Sequence, residues 1–153
     1  MYRKGVSALI VNSNNEFLLV NLVSFEEKYF AIPGGGIEDG ETMEDAAYRE
    51  IHEELGIERI SLDYAGKAEL PLTVMFVLPK MTRDGKEYAG SERYFFGFSF
   101  VGKDEEIKLQ AKEVRSYKWV QFTELYKHLL FDNQLEETRG KILEIFPFFE
   151  QTK

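Results

Sequence analysis

The chain has no cysteine. That excludes a disulfide scaffold, a thiolate-held zinc site and thiol catalysis, and it is compatible with the cytoplasmic location expected for this chain. Histidine is nearly as scarce. His52 and His128 are the only two, and their separation gives no reason to expect a histidine metal site. His52 reads as a solvent-facing spacer and His128 as a helix-surface residue. Long hydrophobic runs are missing as well. The apolar run after Lys4-Gly5 reaches only Val11 before Asn12-Ser13-Asn14-Asn15, too short for a membrane span and without a signal-peptide cleavage pattern, so no membrane partner is expected. There is no internal repeat, low-complexity tract or linker. Positive charge is in deficit, with 19 Lys and Arg against 27 Asp and Glu and a net charge of −8. This argues against broad nucleic-acid binding through phosphates.

What is present suits one globular unit. The 153 residues fit a single domain over 1–153, long enough to bury a core without disulfides or structural metal. Residues 5–11 and 16–22 read as two strands of a hairpin around Asn12–Asn15. Residues 29–32 read as a short strand stopped by Pro33, and Pro33-Gly34-Gly35-Gly36 as a loop. Further strands are expected over 60–69, over 72–78 with Pro79 closing it, over 93–101 and over 117–120. Helices are expected over 42–55, 123–130 and 134–146, the last stopped by Pro147. Strands and helices mix without a regular alternation. The fold class expected is therefore α+β, a layered α/β/α sandwich with a mixed β-sheet between helices.

Charge is concentrated in one place. Between Ile37 and Leu55 lie Glu38, Asp39, Glu41, Glu44, Asp45, Glu50, Glu53 and Glu54 against a single Arg49. Thr42 is a plausible N-cap, with Asp45 three residues on, and Gly56 a C′ residue. Met43, Ala47, Ile51 and Leu55 recur every four residues as a buried stripe. Glu50, Glu53 and Glu54 share one face, and at about 100° per residue Glu54 falls inside the apolar stripe with Glu50 beside it. An ordinary solvated acidic face would lie opposite. Carboxylates placed there need a compensating cation, and three of them converging suit a hard divalent ion, Mg²⁺ or Mn²⁺. Arg49 and Glu41 could brace the cluster from behind.

Gly35, five residues, Glu41, seven residues, then Arg49-Glu50-Ile51-His52-Glu53-Glu54-Leu55-Gly56-Ile57 resembles the Nudix box at all nine of its defined positions over 23 residues. The resemblance implies the Nudix fold and a Mg²⁺-dependent hydrolysis of a pyrophosphate linkage in a nucleotide-like substrate, with Mn²⁺ able to substitute. It implies metal ligation by Glu50, Glu53 and Glu54, helped by the carbonyl of Gly35 or its neighbour. Glu53 is the first choice for general base within the box. Such crowded glutamates titrate together.

Outside the box the similarity is looser. Glu113, in Lys112-Glu113-Val114-Arg115-Ser116-Tyr117-Lys118-Trp119, resembles the Glu-x-x-x-Tyr-[Lys/Arg]-Trp region of dinucleoside polyphosphate hydrolases and RNA pyrophosphohydrolases. There the glutamate is a metal ligand or catalytic base. Tyr2-Arg3 is similar to the opening of RNA pyrophosphohydrolases, which makes Arg3 a phosphate contact, and Gly90–Phe96 resembles a strand of the same group. Phe30, Tyr94, Tyr117 and Phe131 are the aromatics that could stack on a base. The substrates implied are a small-molecule (di)nucleoside polyphosphate, a 5′-phosphorylated nucleotide or an RNA 5′ end. A departure points elsewhere. Pro33 is followed by Gly34, where that group has Lys or Gln, and Pro71 lies 15 residues past Gly56 as in ADP-ribose pyrophosphatases. An ADP-ribose, nucleotide-sugar or damaged-NTP pyrophosphatase is thus the alternative. A non-catalytic ligand sensor is the reading of another class, disfavoured because every box acid is retained. Many relatives pair as homodimers, but the sequence shows no interface signature.

Overall fold

Strand β1 (Tyr2–Val11) shows how the layers arise. Val6, Ala8 and Ile10 face one core and Leu9 and Val11 the other, because successive side chains of a strand point to opposite faces. Strand β2 (Glu16–Leu22) does the same, with Leu18 and Val20 on the first side and Phe17 and Leu19 on the second. A strand buried on both faces is apolar at successive positions, as residues 8–11 and 17–20 are. The protein is described by a computed structural model covering residues 2–81, 85–129 and 135–151; Phe131 lies outside these.

Among the described residues seven strands form one mixed sheet. Strand β3 (Gly34–Gly36) pairs antiparallel with β1 at Gly5–Ser7. β4 (Leu62–Lys67) and β5 (Leu72–Met81) both pair antiparallel with the long β6 (Glu87–Phe100). β6 lies parallel to β1, paired from Tyr2 with Gly90 to Val11 with Ser99, and β7 (Val114–Gln121) runs antiparallel to β2. Helix α1 (Met43–Leu55) covers one face, where Ala46, Ala47, Ile51 and Leu55 pack with Phe98 and Phe100. Helix α2 (Leu135–Ile145) covers the other through Ile142, joined by Phe146 and Phe149. Burying each such large side chain contributes about 1.5–3 kcal/mol. The architecture is the α+β sandwich expected from the element pattern. Among the described residues no helix is long and apolar enough to cross a membrane.

Several local expectations need correction. The glycine run after Pro33 forms strand β3, because pairing with β1 needs only its backbone. The stretch 29–32 makes two isolated bridges, Val20 to Ala31 and Phe30 to Leu129. The turn at Asn12–Asn15 is tight, with Asn12 Oδ1 accepting from the Asn14 and Glu16 amides at 3.0 and 2.9 Å. Yet β1 and β2 are paired at only one position, Val11 with Phe17, and then diverge. β5 runs past Pro79, with a register shift between Met75 and Lys80. Residues 122–127 form a 3₁₀ turn in place of the helix expected over 123–130. The stripe of α1 holds at Ala47, Ile51 and Leu55, with Met43 only partly buried at its start.

Candidate active site

The start and end of α1 are set by side chains the sequence marks. Thr42 Oγ1 accepts from the Asp45 amide at 3.1 Å. The Asp45 carboxylate reaches sideways to Arg59 at 2.9 Å and completes no reciprocal box. Gly56 ends the helix at φ +68°, where a Cβ would be strained and would meet the Lys108 backbone at 2.8 Å. The helix is thereby held at both ends with its acidic edge facing β3.

Arg49 is the hub of that edge. Its Nε and Nη2 form a two-pronged contact with Glu41 at 2.7 and 3.0 Å. Nη1 donates to Glu50 at 2.9 Å and to Glu53 at 3.2 Å, and Nη2 also donates to the Gly36 carbonyl at 2.8 Å. The guanidinium supplies the positive charge that clustered carboxylates need, in the planar fork that carboxylates match. It holds the Glu41 carboxyl below its usual range, and Glu41 in turn raises Arg49. Arg49 therefore touches Glu50 and Glu53 directly.

The three box carboxylates differ in surroundings. Glu53 is half exposed, at 51%. Glu50 is largely buried. Burial raises its pKa most, Arg49 opposes that, and the charges of Glu53 and Glu113 add to the rise. Glu54 is buried, at 5% exposure, and its pKa is pushed up to about 8, first by burial and next by the Glu50 charge. The Gly34 amide hydrogen-bonds Glu54 and works the other way, and Glu113 raises it further. One oxygen of Glu54, Oε2, is buried without a hydrogen-bond partner among the described residues. Glu113 stands just before β7 and is exposed, but its charge reaches both Glu50 and Glu54. Among the described residues no three acidic or histidine side chains already surround one point; Glu50 and Glu53 meet on Arg49, while Glu54 faces inward.

The glycines of β3 make this packing feasible. A Cβ on Gly35 would collide with the Glu50 carboxylate, the far end of a side chain. One on Gly34 would collide with the Val6 carbonyl, which is fixed backbone, and with the Arg93 guanidinium. Gly35→Ala is accordingly expected to fold, with a smaller fall in Tm than Gly34→Ala, and to lose about 10²-fold in turnover as Glu50 is displaced. Gly34→Ala should instead lower Tm by several degrees, because the clash is with backbone in the sheet. Thermal melts beside initial rates check both, and the reverse ranking of Tm would sink the account.

Where β1 and β2 part, a cavity of about 340 Å³ opens, with Glu54, Gly34, Ser7 and Arg93 among its polar lining. Leu22, Phe25, Phe30, Leu72, Val74 and Leu129 supply apolar walls. Arg93 donates to Ser7 Oγ at 3.1 Å and to the Val6 carbonyl at 2.9 Å. Burial lowers its pKa and the Glu54 charge counters this. Arg93, Phe25 and Thr138 were not singled out from the sequence. Arg93 lay inside the strand motif Gly90–Phe96, a signal that could have found it.

The remaining sequence candidates are scattered around this centre. Arg3 is exposed, and its guanidinium lies 3.0 Å from where a Gly36 Cβ would be. Phe30 is 6% exposed and lines the cavity, with His128 edge-on at 6.0 Å and Lys118 over its ring at 4.8 Å. His128 is thus partly buried against Phe30, and the expectation of a helix-surface residue is corrected. Tyr94 and Tyr117 pack on the α1 side of the sheet and are not among the residues lining the cavity. The Tyr94 hydroxyl donates to Glu92 at 3.3 Å, and Tyr117 with Trp119 turns to Asp104. His52 is exposed beside Glu58 at 3.3 Å, a spacer as expected.

Known proteins agree with this layout. A NUDIX domain model matches residues 1–144. An RNA pyrophosphohydrolase of Pelagibacter ubique is 30% identical over 152 residues, covering 94% of this chain and 92% of that protein. The RNA pyrophosphohydrolase of Erythrobacter litoralis is 36% identical over 131 residues, covering 81% and 79%. Among solved structures, a C. elegans Ap4A hydrolase binary complex superposes with a TM-score of 0.64 at 22% identity, covering 97% of each chain. The E. coli dihydroneopterin triphosphate pyrophosphohydrolase does so with a TM-score of 0.68 at 16% identity, covering 96% of this chain and 99% of that one. At such identities the two structures speak for the fold alone. The domain match over nearly the whole chain and the 30% identical relative place this protein in the Nudix family, as a Nudix hydrolase.

Proposed function

We propose that residues 1–153 form a single Nudix hydrolase domain that uses Mg²⁺, or Mn²⁺ in its place, to cut a pyrophosphate linkage in a (di)nucleoside polyphosphate, a 5′-phosphorylated nucleotide or an RNA 5′ end. The observation that carries it is the Oε2 of Glu54, buried at the wall of the cavity without a partner among the described residues and within the field of Glu50 and Glu113. An orphaned carboxylate oxygen among crowded acids is costly, and a hard divalent ion with oxygen ligands is the group that relieves it. Glu50, Glu53, Glu54 and Glu113, with the Gly35 carbonyl, would hold the ion. When bound, it neutralises the diphosphate and acidifies a water.

The chain's own residues supply the rest. Glu53, exposed to solvent beside Arg49, accepts the proton of the attacking water as a P–O bond of the linkage breaks. Arg49 and Glu41 fix the orientation of Glu50 and Glu53. Arg3 and Arg93 approach the same face of β3, at Gly36 and Gly34, and offer donors to phosphate oxygens there. The cavity volume is at the lower end of the range for small-molecule sites, and Phe30, which lines it with Phe25 and Phe95, is the aromatic proposed to contact a base there. Tyr94 and Tyr117 remain substrate contacts only from the α1 side of the sheet. Residence in the cytoplasm and a homodimeric assembly belong to the same reading.

The relatives named RNA pyrophosphohydrolase favour the RNA end or polyphosphate among these substrates. One observation favours an ADP-ribose, nucleotide-sugar or damaged-NTP substrate instead. Position 34 cannot carry the Lys or Gln of the polyphosphate group, because the Val6 carbonyl occupies that space. Products formed with Mg²⁺ from equal concentrations of diadenosine tetraphosphate, 5′-triphosphate RNA, ADP-ribose and 8-oxo-dGTP decide between them. Fastest cleavage of either of the first two supports the proposal, and fastest cleavage of either of the others supports the alternative.

Metal dependence has its own test. Chelation should abolish turnover, and Mg²⁺ or Mn²⁺ should restore it. An ion at a hundred times its Kd should stabilise the fold by about 2.7 kcal/mol, a rise in Tm of roughly 5–10 °C for a domain of this size. Turnover that survives rigorous metal removal would refute the mechanism.

A further inference from the structure

Strand β7 carries an irregularity two residues beyond Glu113. Asn21 on β2 pairs with Ser116, but the next residue, Leu22, pairs with Val114. Arg115 is therefore an extra residue with no partner across the ladder. A bulge of this kind bends its strand and re-aims the side chains around it.

The side chain of Arg115 turns to the segment that follows β2. Nη1 donates to Asn21 Oδ1 at 2.5 Å and to the Phe25 carbonyl at 3.3 Å, and Nη2 donates to the Val23 carbonyl at 3.3 Å. Asn21 is 1% exposed, and its Nδ2 donates onward to the Glu26 and Tyr29 carbonyls at 2.9 and 2.6 Å. One guanidinium and one buried amide thus gather four carbonyls of a single loop. Among the described residues these guanidinium bonds all go to neutral oxygens, so the group is used for its directional donors rather than to balance charge. The same loop is tied to Glu113 through the main chain, where the Val23 amide donates to the Glu113 carbonyl at 2.9 Å. Phe25, in the middle of the loop, lines the cavity.

We infer that Arg115 is a positioning residue that couples the wall of the substrate cavity formed by the loop 22–29 to the placement of Glu113. The inference rests on the reading of Glu113 as a metal ligand. A guest filling the cavity presses on Phe25, and the Arg115 clamp and the Val23–Glu113 hydrogen bond carry that displacement to the start of β7. Conversely, an ion drawing on Glu113 sets the loop against the guest. Coupling of this sort needs a chain of physical contacts, and here it is two hydrogen-bonded segments joined by one side chain.

Arg115→Met keeps the length and the apolar stem but removes every donor, and Arg115→Lys keeps the charge with a single ammonium that cannot span the acceptors. Three readouts apply to both: hydrogen exchange of the amides over 22–29, Mn²⁺ affinity by calorimetry, and kcat and KM on the best substrate. Arg115→Met should lose protection across the loop, weaken Mn²⁺ binding by about three- to tenfold and raise KM roughly tenfold with a smaller fall in kcat. Arg115→Lys should lie between this variant and the unaltered protein. If the Met variant does not fold, the Lys variant decides by the same readouts. A variant with a lowered Tm but unchanged Mn²⁺ affinity and KM would overturn the coupling and leave the bulge a purely structural feature. An unaltered protein that binds no Mn²⁺ would overturn the metal reading of the site, and the coupling with it.

Discussion

Glu53→Gln is expected to lower turnover by about 10³-fold while leaving the fold intact. The two halves of that expectation have separate origins. Glu53 is half exposed and makes one long contact, 3.2 Å to Arg49, so exchanging its carboxylate for an amide disturbs no packing. Substitutions of this kind change stability by only about ±0.5 kcal/mol. Its loss as a base removes about 10²–10⁴-fold of rate, and its loss as an oxygen ligand weakens the ion as well. Glu54→Gln is the contrasting variant. That side chain is buried and shares the Gly34 amide, so its replacement should move Tm and metal affinity together. Initial rates at saturating Mg²⁺, with circular dichroism and melting curves on the same preparations, separate the cases. Near-normal turnover of Glu53→Gln together with an inactive Glu113→Gln would shift the base to Glu113.

The parts of this protein that were legible in the sequence are those in which a side-chain period or a special backbone angle reports a local structure. Ala47, Ile51 and Leu55 declare the buried stripe of α1, and the position of Glu54 within it announces a buried carboxylate. Thr42 and Gly56 mark the ends of the helix correctly because capping is local chemistry. Strand β3 was illegible for the opposite reason. Three glycines carry no side-chain pattern, and only the distant backbone of β1 makes them a strand. The cavity was hidden likewise, since Phe25, Leu72, Phe95 and Thr138 are brought together from separate elements. Phe30 could be named as a candidate aromatic, but Tyr94 and Tyr117 were indistinguishable from it until the sheet put them on its other side. The bulge at Arg115 depends on the register of β7 against β2, which no local pattern encodes.

Arg49→Ala is expected to cost about 10²–10³-fold in turnover and, unlike Glu53→Gln, to destabilise the protein. Arg49 is only about one-fifth exposed, at 21%, and is bonded to Glu41, Glu50, Glu53 and the Gly36 carbonyl together. Removing it leaves the largely buried Glu50 carboxylate unpaired beside Glu53 and within reach of the Glu113 charge, and it frees the backbone of β3 at Gly36. Breaking a buried pair by deleting one partner costs about 3–5 kcal/mol, and the partial exposure here reduces that to about 2–4 kcal/mol. Arg49→Lys separates charge from geometry. An ammonium can neutralise one or two of the glutamates but cannot hold Glu41 in a two-pronged contact while also reaching Gly36. The lysine variant should therefore recover much of the Tm and little of the rate. High Mg²⁺ should partly rescue Arg49→Ala in stability, because the ion and the guanidinium relieve the same repulsion between Glu50 and its neighbours. Melting curves with and without Mg²⁺, set beside kcat/KM for both variants, measure each term. Full recovery of turnover by lysine would mean that Arg49 serves as a point charge, and the role given to its fork in orienting Glu50 and Glu53 would have to be abandoned.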